Sequence, residues 1–185
     1  MSAQPVEWFK PTSGRVTGVL AIVVAAVVLV MAVVGKAPAV FAVGALLFGL
    51  LAWVTLLRPR LGLRGDTLLM RGMVSTVEIP VAAVDSVAVR QVLAVWAGER
   101  RYVSAAVGLP YRDIARERRR PDHLAPERPG ADAAYAHHVG DAITSRARQA
   151  RADGVPGGDV RRHWARPELA GLAVLAVAFV VALVL

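Results

Sequence analysis

Long apolar runs without charge and a polar stretch of short, turn-rich runs divide this chain. Val16–Gly35 and Ala37–Leu57 follow each other closely, and Lys36 is the only charged residue between them. A helix rises about 1.5 Å per residue, so each run can cross the roughly 30 Å hydrocarbon core of a bilayer. Leu169–Leu185 is a third such run. The pattern predicts a two-span helical hairpin, 16–35 and 37–57, and a single further transmembrane helix at 169–185.

Between these runs the hydrophobic pattern is different, because short apolar segments alternate with turns. Gly65-Asp66, Gly72-Met73 and Gly98-Glu99 each place glycine first in a two-residue loop, which suits a type II′ hairpin turn because that position needs positive φ. Short strands joined by such turns are typical of an antiparallel meander. Pro80–Val84 is the one longer connection, and we expect a single helical turn there. The predicted strands are Arg60–Arg64, Thr67–Arg71, Val74–Pro80, Ser86–Val92, Leu93–Ala97 and Arg100–Ala105.

An amphipathic helix is predicted after the meander. Ala131–Ala152 carries its apolar residues in one helical stripe, and Asp132 is its expected N-cap. Leu109–Arg120 is expected to begin as a short helix, and the prolines of Pro121–Gly130 favour a flexible loop (119–130). The stripe consists of Tyr135, Val139, Ala142, Ile143, Ala147 and Ala150. The expected domains are a tail at 1–15, the hairpin at 16–57, a small β domain at 58–153, a linker at 154–168 and the last span at 169–185.

Positive charge lies beside the predicted spans. The net charge is +8, and an excess of Lys and Arg at span ends marks the cytoplasmic side. The sequence therefore predicts a multi-pass protein of the plasma membrane with its N-terminus and residues 58–166 in the cytoplasm and Leu185 outside. Trp8, Trp53 and Trp164 are expected near the membrane interface, where indole is favoured. The basic residues beside the spans are Lys10, Arg15, Arg58, Arg60, Arg64, Arg161, Arg162 and Arg166.

Two sets of residues are candidates for contacts in or at the membrane. Arginines near an anionic surface each contribute about 1 kcal/mol of attraction, so the first set could bind the inner leaflet, although it could equally do no more than set the topology. Small residues spaced four apart let helices approach closely, so the second set predicts helix packing. The first set is Arg58, Arg60, Arg64, Arg161, Arg162 and Arg166, and the second is Ala21, Ala25, Ala45 and Gly49.

Candidate chemistry is sparse. There is no Cys, and no span contains an ionisable residue, which argues against thiol chemistry and against a channel or transporter. His137 and Asp141 could reach one metal ion with His138 beside them, but two ligands do not make a site. Asp122-His123 likewise offers only two metal ligands. The basic tract Arg116–Arg120 could contact nucleic acid, but no recognised nucleic-acid-binding motif surrounds it. We expect no enzyme, no catalytic or metal site, no cofactor and no nucleic-acid partner.

Several short motifs resemble one family. Together with a later match over Arg101–Gly108, they are similar to bacterial, particularly actinobacterial, membrane-anchored proteins with a pleckstrin-homology (PH)-like domain. This resemblance implies an α+β membrane protein: a two-span hairpin, a cytoplasmic PH-like small β-barrel or meander with a capping helix, and a C-terminal transmembrane helix. It carries no established activity. The motifs are Arg58-Pro59-Arg60-Leu61, Gly65-Asp66-Thr67-Leu68, Val77-Glu78-Ile79-Pro80 and Val84-Asp85-Ser86-Val87.

One departure from PH domains narrows the functional expectation. PH domains that hold inositol phosphates use a basic, extended loop between their first two strands, whereas Gly65-Asp66 is short and acidic. We therefore expect a non-catalytic binding or scaffolding module at the inner face of the membrane, in contact with lipids and with a protein partner or a second copy. An extended peptide could add to an open sheet edge near the helix. The alternative is an accessory or assembly subunit that acts through its transmembrane helices.

Overall fold

A computed structural model of the chain describes residues 6–10, 14–109 and 130–184. Its residues separate into two compact units. The sheet unit comprises Met1–Ser13, Arg60–Gly72 and Thr76–Arg162, and the helical unit comprises Gly14–Pro59, Met73–Ser75 and His163–Leu185. The predictions for 110–129, including most of the short helix and the loop, Arg116–Arg120 and Asp122-His123, lie outside the described residues.

The described residues form an α+β protein with four helices and eight short strands. Most of the predicted strands appear within two residues of their expected ends, and Ala131–Ala152 is a helix as predicted. In chain order the elements are β1 (Glu7–Trp8), α1 (Arg15–Val34), α2 (Ala39–Ala52) with a π-helical turn (Trp53–Leu57), β2 (Arg60–Arg64), β3 (Thr67–Arg71), β4 (Ser75–Pro80), a 3₁₀ turn (Val81–Ala83), β5 (Ser86–Val89), β6 (Leu93–Ala97), β7 (Arg100–Ser104), α3 (Ala131–Ala152), β8 (Arg161–Trp164) and α4 (Arg166–Val184).

Three helices of the helical unit are long and apolar enough to cross a membrane: α1, α2 with its π-helical turn, and α4. This confirms the three predicted apolar spans and indicates association with a membrane. The turn between α1 and α2 is tight, as expected. The Ala37 N–H donates to the Ala32 carbonyl (2.9 Å), and Lys36 has a positive φ of 51°. The connection is therefore too short to hold any further element.

The strands form two antiparallel sheets, one with the order β1-β2-β3-β4-β8 and one with the order β5-β6-β7. Gly65 and Gly98 have φ of +54° and +58°, as their predicted turns require. The same prediction for Gly72 is wrong, because β3 ends at Arg71, β4 begins at Ser75, and Gly72 is not among the described glycines with positive φ. Neither sheet closes on itself in the described part of the chain, so a closed barrel is not confirmed.

Within the segment predicted as a tail, Glu7–Trp8 forms a strand that pairs with β2. Trp8 is paired with Gly62, and the Phe9 N–H donates to the Leu61 carbonyl (2.9 Å). A Cβ on Gly62 would lie 2.8 Å from Cε3 of Trp8, so the missing side chain makes room for the indole. The Lys10 N–H then donates to the Tyr135 hydroxyl (2.8 Å), which attaches this segment to α3. Trp8 therefore belongs to the sheet unit.

The core of the sheet unit joins both sheets to α3. Val139 and Ile143 are fully buried, as the predicted stripe requires, and they pack among large side chains of the strands. Asp132 is not the N-cap, because the helix is capped by Gly130 and Asp132 lies in its first turn. The remaining stripe residues are buried or half-buried. The core includes Leu61, Leu68, Ile79, Val84, Leu93, Val95 and Val107.

Candidate functional site

Strand β5 is an edge of the three-stranded sheet, and it pairs with β6 on one side. The two-residue turn Gly98-Glu99 makes Ala97 and Arg100 a hydrogen-bonded pair of β6 and β7. Ala94, three positions before Ala97, therefore directs its backbone groups toward β5, where it pairs with Ala88. Hydrogen-bonded pairs alternate along an antiparallel ladder, so Ala88 directs its backbone groups toward β6. The N–H and C=O groups of Val87 and Val89 therefore face outward from the sheet, where a further strand could pair with them.

Helix α3 lies directly against β5. A Cβ on Gly140 would lie 2.7 Å from Cγ2 of Val89 and 3.8 Å from Cγ1 of Val87. Such a close approach requires glycine at this position. Toward the start of β5 the two elements leave a pocket of about 130 Å³. The pocket is lined by Val84–Val87 on one side and by Thr144, Ala147, Arg148 and Arg151 on the other.

The polar groups of this pocket are held by local hydrogen bonds. Arg151 donates from Nη2 to the Val84 carbonyl and from Nε to the Ala147 carbonyl (3.3 Å). The Asp85 Oδ2 accepts the Gly98 N–H (2.7 Å) and so ties the start of β5 to the β6–β7 turn. Arg148 is exposed. The pocket thus combines a sheet edge with two exposed arginines, of which Arg151 is held in place by hydrogen bonds.

The predicted lipid-contact arginines separate into two groups. The Arg58 side chain is 4% exposed, and its Nε donates to Oε1 of Glu168 (2.9 Å), which joins the end of α2 to the first turn of α4. This ion pair gives Arg58 a contact inside the helical unit that the sequence analysis missed. The other five arginines of the set are exposed: Arg60, Arg64, Arg161, Arg162 and Arg166.

The predicted helix-packing residues lie where α1 and α2 meet. Ala25 and Ala45 are buried and Ala21 is half-buried. A Cβ on Gly49 would lie 3.3 Å from the Ala25 Cβ. The closest approach, however, is at Gly18, where a Cβ would overlap the Leu57 side chain and lie 2.9 Å from the Leu56 Cβ. Gly18 was not predicted.

A cleft of about 460 Å³ opens between the helices of the same unit. Its lining is apolar and comes from all three of the helices. Gly44 forms part of the floor, where a Cβ would lie 3.1 Å from Cε2 of Phe179. The bulky lining residues are Val24 and Val28 of α1, Val40, Phe41 and Phe48 of α2, and Phe179 and Leu183 of α4.

The candidate metal ligands of α3 stay on the surface. His137, His138 and Asp141 are all exposed. Among residues 6–10, 14–109 and 130–184, no three His, Cys, Asp or Glu side chains lie close enough together to hold a metal ion. Within the described part of the chain, the β5–α3 pocket and the helical cleft are therefore better candidate sites than these three residues.

Comparison with protein-family models, with curated proteins and with solved structures found no match for this chain.

Proposed function

We propose that this protein is a non-catalytic, membrane-anchored PH-like module that binds an extended segment of a partner protein at the cytoplasmic face of the plasma membrane. The observation that carries this function is the outer edge of β5, where Val87 and Val89 present their backbone groups beside α3. An extended peptide adds to such an edge by main-chain hydrogen bonds, and neighbouring pockets select its side chains.

Two features support the PH-like interpretation. The meander supplies two antiparallel sheets with a shared core, and α3 contributes Val139 and Ile143 to that core. A sheet pair covered by one amphipathic helix is the plan that the sequence motifs imply. Because the β5 edge lies beside that helix, the plan also accounts for the position of the proposed binding site.

The proposed cytoplasmic placement of the sheet unit, and its contact with lipid, rest on the arginines beside the spans. Five of the six candidate arginines beside the spans are exposed, and a basic residue near an anionic surface contributes about 1 kcal/mol. Arg58 is the exception, because its guanidinium group pairs with Glu168. We therefore assign lipid contact to Arg60, Arg64, Arg161, Arg162 and Arg166, and assign Arg58 to the packing of α2 with α4.

The proposed function is tested by photocrosslinking in intact cells. A photoreactive phenylalanine at exposed Ser86 on β5 should give one discrete crosslinked protein, to be identified by mass spectrometry. Val87→Pro removes an outward-facing N–H while leaving the β6 ladder intact, as proline can do on an edge strand. The crosslink should disappear in the Val87→Pro variant.

The opposite edge of the same sheet supplies the matched control. The two-residue loop Gly98-Glu99 makes Ala97 and Arg100 a hydrogen-bonded pair, so alternation along β7 turns the Val103 N–H outward. Val103→Pro should therefore leave the Ser86 crosslink unchanged. A crosslink that survives Val87→Pro, or that Val103→Pro removes equally, would contradict strand addition at β5.

The helical cleft favours a second candidate function, that of an assembly subunit that packs its transmembrane helices against another membrane protein or a second copy. Close packing between helices is what holds membrane assemblies together, and the cleft offers an apolar surface for it. Substitutions by leucine at Ala21 or Ala45 should then abolish function, whereas surface changes within 62–105 should not. Peptide binding at β5 predicts the reverse.

A further inference from the structure

The pocket at the start of β5 has an excess of positive charge that the described residues do not neutralise. Both hydrogen bonds of the Arg151 guanidinium go to carbonyl oxygens, at Val84 and Ala147, which fix its orientation and leave its charge uncompensated. Arg148 lies on the same rim, and neither arginine forms an ion pair with a carboxylate of the described residues. Asp85 is the one carboxylate among the lining residues.

The position of Asp85 leaves this excess in place. Its Oδ2 already accepts the Gly98 N–H (2.7 Å), so part of its hydrogen-bonding capacity is used within the sheet. The residues that line the pocket therefore include two arginines and only one carboxylate. Guanidinium groups bind carboxylates with a planar, often bidentate geometry. The pocket is thus suited to a second carboxylate that comes from outside.

The size and position of the pocket limit what can enter. Its volume is about 130 Å³, which is small. A single acidic side chain fits this space. Side chains alternate along a strand, so every second residue of a strand added at Val87 would project on the side of α3, toward this pocket.

We propose that the pocket binds the carboxylate of an aspartate or glutamate in the added segment, so that the partner of this protein is an acidic peptide. This inference rests on the proposed function, because the peptide backbone is held by the outward-facing groups of Val87 and Val89. A peptide uses both the strand edge and the guanidinium groups. A lipid headgroup could use only the second.

The experiment uses the full chain in phosphatidylcholine nanodiscs and fluorescein-labelled seven-residue peptides of alternating Thr and Val. The central residue of the peptide is Glu, Gln or Lys, and binding is followed by fluorescence anisotropy. The Glu peptide should bind about fivefold more tightly than the Gln peptide, and the Lys peptide more weakly than both. Arg148→Gln should remove most of the difference between Glu and Gln.

Arg146→Gln is the matched control, since it makes the same charge change on the same helix at an exposed residue that does not line the pocket. It should leave the preference for Glu unchanged. Arg148→Glu should reverse the preference in favour of the Lys peptide. Equal loss of affinity in the Arg146 and Arg148 variants would show general charge attraction and overturn the inference.

The failures of the two proposals are distinguishable. Equal binding of Glu and Gln peptides that Val87→Pro abolishes would overturn the acidic specificity and leave strand addition standing. No binding of any peptide would contradict both proposals. If phosphatidylglycerol nanodiscs suppress peptide binding through Arg148, so that the Arg148→Gln variant escapes the suppression, the pocket is a lipid headgroup site and the inference is wrong.

Discussion

The sheet unit and the helical unit bury opposite kinds of residue. In the sheet unit many of the fully buried residues are large and apolar, among them Leu61, Ile79 and Ile143. In α1 and α2 the buried residues are small: Gly18, Ala25 and Ala32 in the first helix, and Ala45 and Ala52 in the second. The large side chains of these two helices and of α4 are exposed or half-buried, and none of them is fully buried.

This inversion indicates two different surroundings. Burying a leucine away from water is favourable by about 25 cal/mol per Å² of apolar surface, so a unit in water packs its large side chains inside. Lipid tails are as apolar as leucine, so burying large side chains does not drive helices together in a membrane. Helices in lipid are instead stabilised by close packing of their backbones at small residues. The helical unit follows the second rule. Val174 and Leu183 of α4, each 67% exposed, are therefore expected to contact lipid.

The largest effect is expected for a charge placed in the sheet unit core. Val139 is fully buried between the sheets and α3, so Val139→Asp would bury a carboxylate without a partner. We expect a loss of about 4 kcal/mol or more of unfolding free energy, measured as a loss of hydrogen-exchange protection of β6 in the full chain.

The control lies on the exposed face of the same helix. Arg148→Asp introduces the same carboxylate and should leave the protection of β6 unchanged. If Val139→Asp were also without effect, α3 would not pack on the sheets, and the PH-like interpretation would lose its main support.

A smaller effect is expected where α1 and α2 meet. A Cβ on Gly18 would overlap Leu57, so Gly18→Val should push the helices apart at a cost of about 1–3 kcal/mol, typical of overpacking. The natural chain has no Cys, so a cysteine pair introduced at Ala25 and Gly49 reports this contact by its rate of oxidative disulfide formation. The Gly18→Val substitution should slow that rate.

Thr17→Val supplies the matched control, because it places the same side chain on the exposed face of α1. The rate of disulfide formation should be unaffected there. Equal rates in both variants would show that small residues do not set the distance between these helices.

The sequence predicted the parts of the fold that depend on local patterns. Uncharged length identified the three spans, and glycine at the first loop position identified the turns at Gly65 and Gly98. The stripe containing Val139 and Ile143 identified α3 and its buried face, because apolar residues at helical spacing can be recognised in a single sequence. The β5–α3 pocket was anticipated only as an open edge near the helix.

The missed features depend on distant residues. β1 is only two residues long, and its pairing rests on the room that Gly62 leaves for Trp8. The Arg58–Glu168 ion pair joins residues 110 positions apart. The tight approach at Gly140 depends on Val89, which the helix meets only after folding. No local pattern reports such pairs, although an isolated glycine within a helical stripe is a usable sign of close packing.

The most direct test of the two surroundings compares two exposed valines. Val103 on β7 is 52% exposed and Val174 on α4 is 67% exposed, so exposure alone would give both positions similar reactivity. Single cysteines at these positions are treated with a membrane-impermeant maleimide in opened membranes, where both faces are accessible. We expect Val103→Cys to be labelled in the intact bilayer and Val174→Cys to be labelled only after denaturation in detergent. Equal labelling of both in the intact bilayer would contradict the assignment of two surroundings.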